Sequence, residues 1–488
     1  MHTPALHTDK YQLNMMYAHW KNGSHRTRCV FDVYFRELPF HNGFAVFAGL
    51  ERAITYLSEL AFTDEEIAFL RGEEEKYDEA FLKELKEWRF TGNVYAMPEG
   101  TLVFPNEPLV RVEGSIFELL LIETALLNMI NYQTLIATKA ARVRHVAPGD
   151  VLLEFGSRRA QEVDAAIWGA RATYLAGFDG TSNVRAAQLF DIPCKGTHSH
   201  AWVQLFDDEI ESFRTFVDAL PSQTTLLVDT YNTVKSGLPH AIKIGKELEK
   251  QGKELKGIRL DSGDLAYLSK IARRMLDEAG LTETKIFASS DLDEHTILHL
   301  KSQGAKIDSW GIGTKLITAF DQPALGAVYK MVAKETAGKW LPTIKISSNP
   351  EKVTTPGRKT VYRIIDRETN KASGDLIASV EERVDVSKPL TLFHPVHTYR
   401  KKVVSSYVIQ ELLQPIFLDG KLVYDQPTLA AIRKYHSEQL SQFWEEYLRN
   451  LNPAVYPVDM SEHVWQTKQN LLVETREKVR REQEAPEE

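Results

Sequence analysis

Two imidazoles stand two positions apart in the heptapeptide GTHSHAW, at His198 and His200, in a chain with 15 histidines and 2 cysteines. That spacing admits three roles: a metal-ligand pair, a buried structural turn, or a catalytic imidazole with a bystander. Zinc asks for three or four protein ligands, and no Asp, Glu, Cys or His cluster at ligand spacing accompanies the pair. A structural histidine needs only a backbone carbonyl as partner. A nucleophilic one needs its ring held in one tautomer, and the local sequence does not name the group that holds it.

Three other stretches carry chemistry. GIRLDSGDL puts Arg259 and Asp261 two residues apart, so on a strand both side chains point the same way. Arginine suits phosphate oxygens, and aspartate suits vicinal hydroxyls or a hydrated Mg²⁺; the alternative is a structural salt bridge. DSWGIGTKL ends a strand candidate in Gly311, Gly313 and Thr314, a place where backbone N–H groups can meet a terminal phosphate. SSDLDEHTI offers Ser289, Ser290 and Asp291 ahead of a helix, either as a ribose or phosphate contact or as an ordinary N-cap.

What must position these groups is a regular alternation from about residue 150 to 335. The runs VLLEF (151–155), LLVD (226–229), GIRLD (257–261), KIFAS (285–289) and DSWGIG (308–313), with a further strand near IPCKG, are separated by helical patterns such as DLAYLSKIARRMLDEAG. Strand and helix in turn predict a parallel sheet. Closed into a β/α barrel, that sheet gathers the ends of its strands on one face, so residues far apart in sequence share a pocket. Turn and cap chemistry explains a Gly, Asp or Ser at any single junction. Six junctions in succession, with arginines and aspartates that turns do not need, point to a polyanion site.

The flanks read differently. Residues 1–145 carry a strand candidate at CVFDVYFREL, Glu/Lys-rich helices over about 51–88 and short strands in NVYAMPEGTLVFPNEPLVRVEG, an α+β texture. The apolar run at 116–146 predicts a long buried helix, whose Thr138, Lys139 and Arg142 either reach a ligand or belong to the core. Residues 341–488 show strand candidates TVYRII and YRKKVVSSYVI, amphipathic helices from about 426, and a charged tail, REKVRREQEAPEE, expected to be solvated or disordered.

At 488 residues the chain is expected to form two or three domains, and an apolar fraction of 43% provides a large core. A net charge of −8 leaves no basic stripe for nucleic acid. Cys29 and Cys194 make no disulfide framework, MHTPALHTDKYQLNMM lacks the regions of a signal peptide, and no stretch has 18 uninterrupted apolar residues. The expectation is a cytoplasmic protein with no membrane span.

The motifs TDKYQLNMM (8–16), EFGSRRAQ (154–161), GFDGTSNV (177–184), GTHSHAW, LLVDTYNTVKSG (226–237), GIRLDSGDL and DSWGIGTKL, in this order along the chain, resemble the nicotinate phosphoribosyltransferases of the type II phosphoribosyltransferase superfamily. The resemblance implies an α/β protein: an α+β N-terminal domain (1–145), an irregular β/α barrel (146–340) and a C-terminal extension (341–488). It implies a homodimer with active sites shared between subunits. Tyr11, from the partner subunit, and Phe155 resemble the aromatics that sandwich the pyridine ring, and Arg158 resembles the arginine at its carboxylate. Ser182 lies where nicotinamide-using relatives carry an acid, which a carboxylate substrate would be repelled by. Thr181 and Thr197 fall in the substrate-binding motifs. Asp229, Arg259, Asp261, Ser290 and Asp291 resemble the ribose and pyrophosphate shell, with Gly311, Gly313 and Thr314 around the 5′-phosphate.

His200 resembles the histidine that this family phosphorylates with ATP, while His198 falls where the family varies. The implied activity is ATP-coupled synthesis of nicotinate mononucleotide from nicotinate and 5-phosphoribosyl 1-pyrophosphate, the first step of NAD salvage from nicotinate, by an ATP-dependent carbon–nitrogen ligase. Mg²⁺ is expected on the substrate phosphates, without a protein-built metal site. The alternatives are a nicotinamide or quinolinate phosphoribosyltransferase, or a noncatalytic sugar-phosphate-binding protein.

Overall fold

Six short strands in the middle of the chain form one parallel sheet, in the spatial order Gly180–Thr181, Val151–Glu154, Ser309–Ile312, Lys285–Ser290, Gly257–Leu260 and Thr225–Leu227. The computed structural model describes residues 3–349, 352–397 and 399–484. Five of the strands coincide with apolar runs of the sequence to within one or two residues; Gly180–Thr181 matches none of them, and the strand expected near IPCKG makes only an isolated bridge from Cys194 to Thr181. Their buried side chains, Leu152, Leu226, Leu227, Ile258, Leu260, Ile286, Ala288, Trp310 and Ile312, supply the core of this unit, Ile136–Pro323. Helix Leu265–Glu278 shows how the connections pack. Asp264 caps it by accepting the Tyr267 N–H at 3.0 Å, and Leu265, Ala266, Ser269, Ala272 and Leu276 form its buried face.

The sheet departs from ideal closure between its two end strands. Along that gap runs Cys194–His198, which makes one parallel bridge, Cys194 to Thr181, and turns the His198 ring to the Leu227 N–H at 3.1 Å. A side-chain nitrogen thus takes a donor that a neighbouring strand would otherwise satisfy.

Residues 116–146 are helical but divided at Ile122, into Ile116–Leu121 and Glu123–Val146. Thr138, Lys139 and Arg142 are buried. Lys139 Nζ lies 3.0 Å from Glu294 and 2.8 Å from Asp321, and Arg142 Nε lies 2.7 Å from Glu294. These cations are committed to the core of the unit, where an unpaired charge would be costly.

The second unit joins Met1–Leu135 to Ala324–Glu488. The sequence textures divide at 145 and 340, whereas strand Val328–Thr336 pairs antiparallel with Arg28–Tyr34 in a seven-stranded sheet. Texture identifies a strand without saying which sheet it joins, hence the difference. A six-stranded sheet is built from the C-terminal segment, including Lys359–Asp366; the run YRKKVVSSYVI supplies its two edge strands, Lys401–Val404 at one side and Tyr407–Glu411, which runs just past it, at the other. The charged tail takes the solvated alternative: helix Glu462–Glu484 continues into it, since Glu, Lys, Arg and Gln are good helix formers, and Arg476, Glu477, Lys478 and Arg480 are exposed. Residues 485–488 of that tail lie outside the described residues. No described helix is long and apolar enough to cross a membrane.

Candidate active site

Arg259 and Asp261 face the same way at the end of strand Gly257–Leu260, and they meet. The guanidinium donates to Asp261 Oδ1 at 2.8 Å, to Ser289 Oγ at 2.8 Å and to Thr197 Oγ1 at 3.0 Å. The pair is an ion pair, as the structural alternative has it, but it lies at the barrel mouth with Asp261 28% exposed. Ser289 also donates to Asp261 Oδ1. Burial alone would raise the Asp261 carboxyl; the Ser289 hydroxyl and the Arg259 guanidinium outweigh it and hold the group below its ordinary value.

Asp229 stands behind this pair. Its Oδ2 accepts the Asp261 N–H at 2.8 Å and the Ser262 hydroxyl at 2.7 Å, which ties two strand ends together. Its Oδ1 is buried without a hydrogen-bond partner. That atom and Asp261 Oδ2 lie 3.9 and 3.7 Å from His200 Nε2. Two carboxylate oxygens not engaged by Arg259 or Ser289 fit a hydrated Mg²⁺ carried on a substrate phosphate, because that ion keeps most of its waters and takes one or two carboxylates. Among the described residues no group of three or more His, Cys, Asp or Glu is placed to hold a metal by itself.

His200 opens the short helix His200–Gln204 and is 39% exposed, with Nδ1 at 3.1 Å from Thr230 Oγ1. Thr230 is the ring's neighbour that the sequence does not name. His198 is different in kind. It is 7% exposed and packs on Phe216 at 4.8 Å. Because its Nε2 accepts the Leu227 N–H, its Nδ1 carries the proton and donates to the Ser199 carbonyl at 3.3 Å. Burial pushes its pKa down to about 4, so the ring is neutral near pH 7.

On the neighbouring strand ends, Phe155 lies edge-on to Phe287 at 5.5 Å, with Arg259 at 5.8 Å from both ring centres. Gly311 runs beneath these rings: an added Cβ would come within 2.6 Å of Phe287 and 2.9 Å of Phe155. The glycine is therefore required by ring packing. At Gly313, the N-cap of helix Thr314–Ile317, an added Cβ would stand 3.0 Å from the Phe155 carbonyl oxygen. Lys315 in that turn donates to Asp293 at 2.7 Å.

Arg158 is exposed in the single turn Ser157–Arg159, and Ser182 is exposed with its Oγ 3.4 Å from the Glu154 carbonyl. Beneath them is Glu154, fully buried and absent from the sequence-derived set. It accepts the Thr181 hydroxyl at 2.6 Å and the Gly156 N–H, and burial raises its pKa. An acid inside the apolar run VLLEF is the signal that marks it.

Ser290 and Asp291 are exposed and lie outside the Arg259 cluster, where Ser289 stands instead. Strand parity explains this: Phe287 is in register with Arg259, so Ser289, two residues on, shares the face of Asp261. Tyr11 belongs to the other unit, on helix Lys10–Lys21, and its ring is 52% exposed.

A parallel barrel whose strand ends gather an arginine, two carboxylates, hydroxyls and an aromatic wall belongs to the class of sites that take phosphorylated sugars and flat rings. Profiles of the nicotinate phosphoribosyltransferase N-terminal domain, family and C-terminal domain match residues 6–131, 151–372 and 358–468. The chain is 54% identical over 480 residues to the nicotinate phosphoribosyltransferase of Bacillus subtilis, covering 98% of this chain and 97% of that protein. It is 38% identical over 527 residues to the protein of that name in Dictyostelium discoideum, covering 97% and 89%. The crystal structure of human nicotinic acid phosphoribosyltransferase superposes with a TM-score of 0.84 at 29% identity, covering 95% of this chain and 99% of that one. The chain belongs to the nicotinate phosphoribosyltransferase family.

Proposed function

We propose that this protein joins nicotinate to 5-phosphoribosyl 1-pyrophosphate, giving nicotinate mononucleotide and pyrophosphate, in cytoplasmic NAD salvage. The observation that carries the reading is the convergence of Phe155, Arg259, Asp261, Asp229 and His200 at one mouth of the barrel. The pyridine ring stacks on Phe155, with Tyr11 from the partner subunit of a homodimer on its other face, and Arg158 meets its carboxylate. The ring nitrogen forms the bond to the anomeric carbon as the bond to pyrophosphate breaks, the leaving group taking the electron pair through an oxocarbenium-like state. Arg259 holds phosphate oxygens, and Asp261 accepts hydrogen bonds from the ribose hydroxyls. Asp229 and Asp261 would hold a hydrated Mg²⁺ carried on the substrate phosphates, which would supply positive charge against the departing pyrophosphate. Gly311, Gly313 and Thr314 lie around the 5′-phosphate.

ATP drives the reaction through His200. An imidazole nitrogen attacks the γ-phosphorus of ATP, the bond to ADP breaks and ADP takes the electron pair; water later cleaves the N–P bond and releases phosphate. Support comes from His200's exposure, its Thr230 partner and the carboxylates at 3.7 and 3.9 Å, against the buried and engaged His198. The test is product formation from nicotinate, nicotinamide and quinolinate in separate assays, each with and without ATP. Nicotinate turnover accelerated by ATP is the expected result; preference for either other substrate overturns the reading, and binding of the sugar phosphate without turnover leaves a noncatalytic protein.

A further inference from the structure

Helix Glu209–Ala219 touches both sides of the His200 region without placing a group in it. At one side, Trp202, two residues along the helix that His200 opens, donates its indole N–H to the Ser212 carbonyl at 3.1 Å. Phe216 of the same long helix lies 6.0 Å from Trp202 and 4.8 Å from His198. At the other side, the Glu209 carboxylate, 6% exposed, accepts from the Ser236 hydroxyl and from His240 Nδ1 at 2.8 Å. Ser236 belongs to the wide turn Thr233–Gly237, of the i→i+5 type that is rare and recurs at functional sites. Gly237 in that turn is pressed so closely on Val228 that an added Cβ would stand 1.9 Å from its carbonyl oxygen. Val228 directly precedes Asp229 and Thr230, so the turn and these two residues shift together.

We propose that helix Glu209–Ala219 is a clamp that sets His200 against Thr230 and Asp229, with Trp202 and Glu209 as its positioning residues. The proposal rests on His200 as phosphoryl acceptor. The Ser212 hydroxyl donates to the Glu209 carbonyl at 2.7 Å, linking the two grips within the helix. The helix has an independent anchor, the Arg214–Glu247 pair with bonds of 3.1 and 3.0 Å to helix Leu238–Glu249. It therefore stays docked when the indole bond is removed, and the Trp202 N–H is available to aim His200.

Trp202→Phe deletes that N–H and keeps a ring against Phe206 and Phe216. Phosphoenzyme formed from γ-labelled ATP, and the ATP stimulation of transfer, should fall about five-fold, the worth of one hydrogen bond. ATP-independent transfer should stay at the parental value while Tm falls by no more than the loss of one hydrogen bond explains; a merely structural residue would instead move both rates together. Glu209→Gln should lose ATP stimulation and raise KM for 5-phosphoribosyl 1-pyrophosphate, because Asp229 loosens with Ser236. Parental phosphoenzyme levels in Trp202→Phe, or both rates falling together with Tm, overturn the clamp. A parental protein that takes up no label overturns the His200 reading itself, and the two failures are told apart by that control.

Discussion

The Thr230 hydroxyl and His200 Nδ1 lie 3.1 Å apart, closer than the ring's approaches of 3.7 Å to Asp261 and 3.9 Å to Asp229. Thr230 follows Asp229 directly, so the loop that presents a carboxylate to one side of the ring also holds the other nitrogen. Thr230→Val removes the hydroxyl at nearly constant volume and frees the ring to turn. ATP-stimulated transfer should drop about five-fold, and Thr230→Ser, which restores the hydroxyl, should recover most of it. Equal activity in the valine and serine proteins would show that the contact does not orient His200.

Substrate choice turns on Ser182. Ser182→Asp adds a charge at a position the resemblance sets beside the nicotinate carboxylate. The residue is exposed, so solvent screens the repulsion and the expected loss of kcat/KM for nicotinate is on the order of ten-fold. Nicotinamide, uncharged, should be used no worse. Undiminished use of nicotinate would move Ser182 away from that carboxylate.

How much of this site was legible follows from strand geometry. Arg259 and Asp261 could be paired from their spacing, since side-chain alternation along a strand holds whatever the partner strand does. Choosing between Ser289 and Ser290 needed the register of the next strand, Phe287 against Arg259, and register is not written in local sequence. Glu154 was hidden because its partners Thr181 and Gly156 are brought to it by a neighbouring strand and a turn. The return of Val328–Thr336 to the N-terminal sheet is likewise a long-range pairing that composition does not carry.

Shared sites are tested by complementation. Tyr11→Ala removes an aromatic face proposed for the partner's site, and Asp261→Ala removes a carboxylate proposed for its own. Random mixing makes half of the dimers mixed, each with one intact site, so activity should return to about a quarter of the parental value. Demonstrated subunit exchange with no recovery would assign Tyr11 to its own chain's site or to none.

His198 gives the protein a pH dependence of stability. Its folded pKa, about 4, lies below the ordinary histidine value of 6.5, so between these limits the unfolded chain binds the extra proton. The neutral ring's contribution is complete above pH 6.5 and is lost as pH falls toward 4, up to about 3 kcal/mol in all. Urea unfolding of the parent and of His198→Gln across pH 4 to 7 should show a smaller decline in the variant. Parallel declines would mean that His198 titrates normally.

The sharpest separation is between the two histidines themselves. His200→Asn keeps similar size and removes the acceptor nitrogen opposite Asp229 and Asp261, so label from γ-labelled ATP and ATP stimulation should disappear. Slow ATP-independent transfer should persist at high substrate concentration, because Arg259 and Asp261 remain. His198→Asn loses the bond to the Leu227 N–H and packing on Phe216, so its cost should appear in Tm, with label retained. Quenching at alkaline pH preserves phosphohistidine for the measurement. Label that survives in His200→Asn and vanishes in His198→Asn would reverse the assignment, and would require the buried ring to leave the barrel gap it now closes.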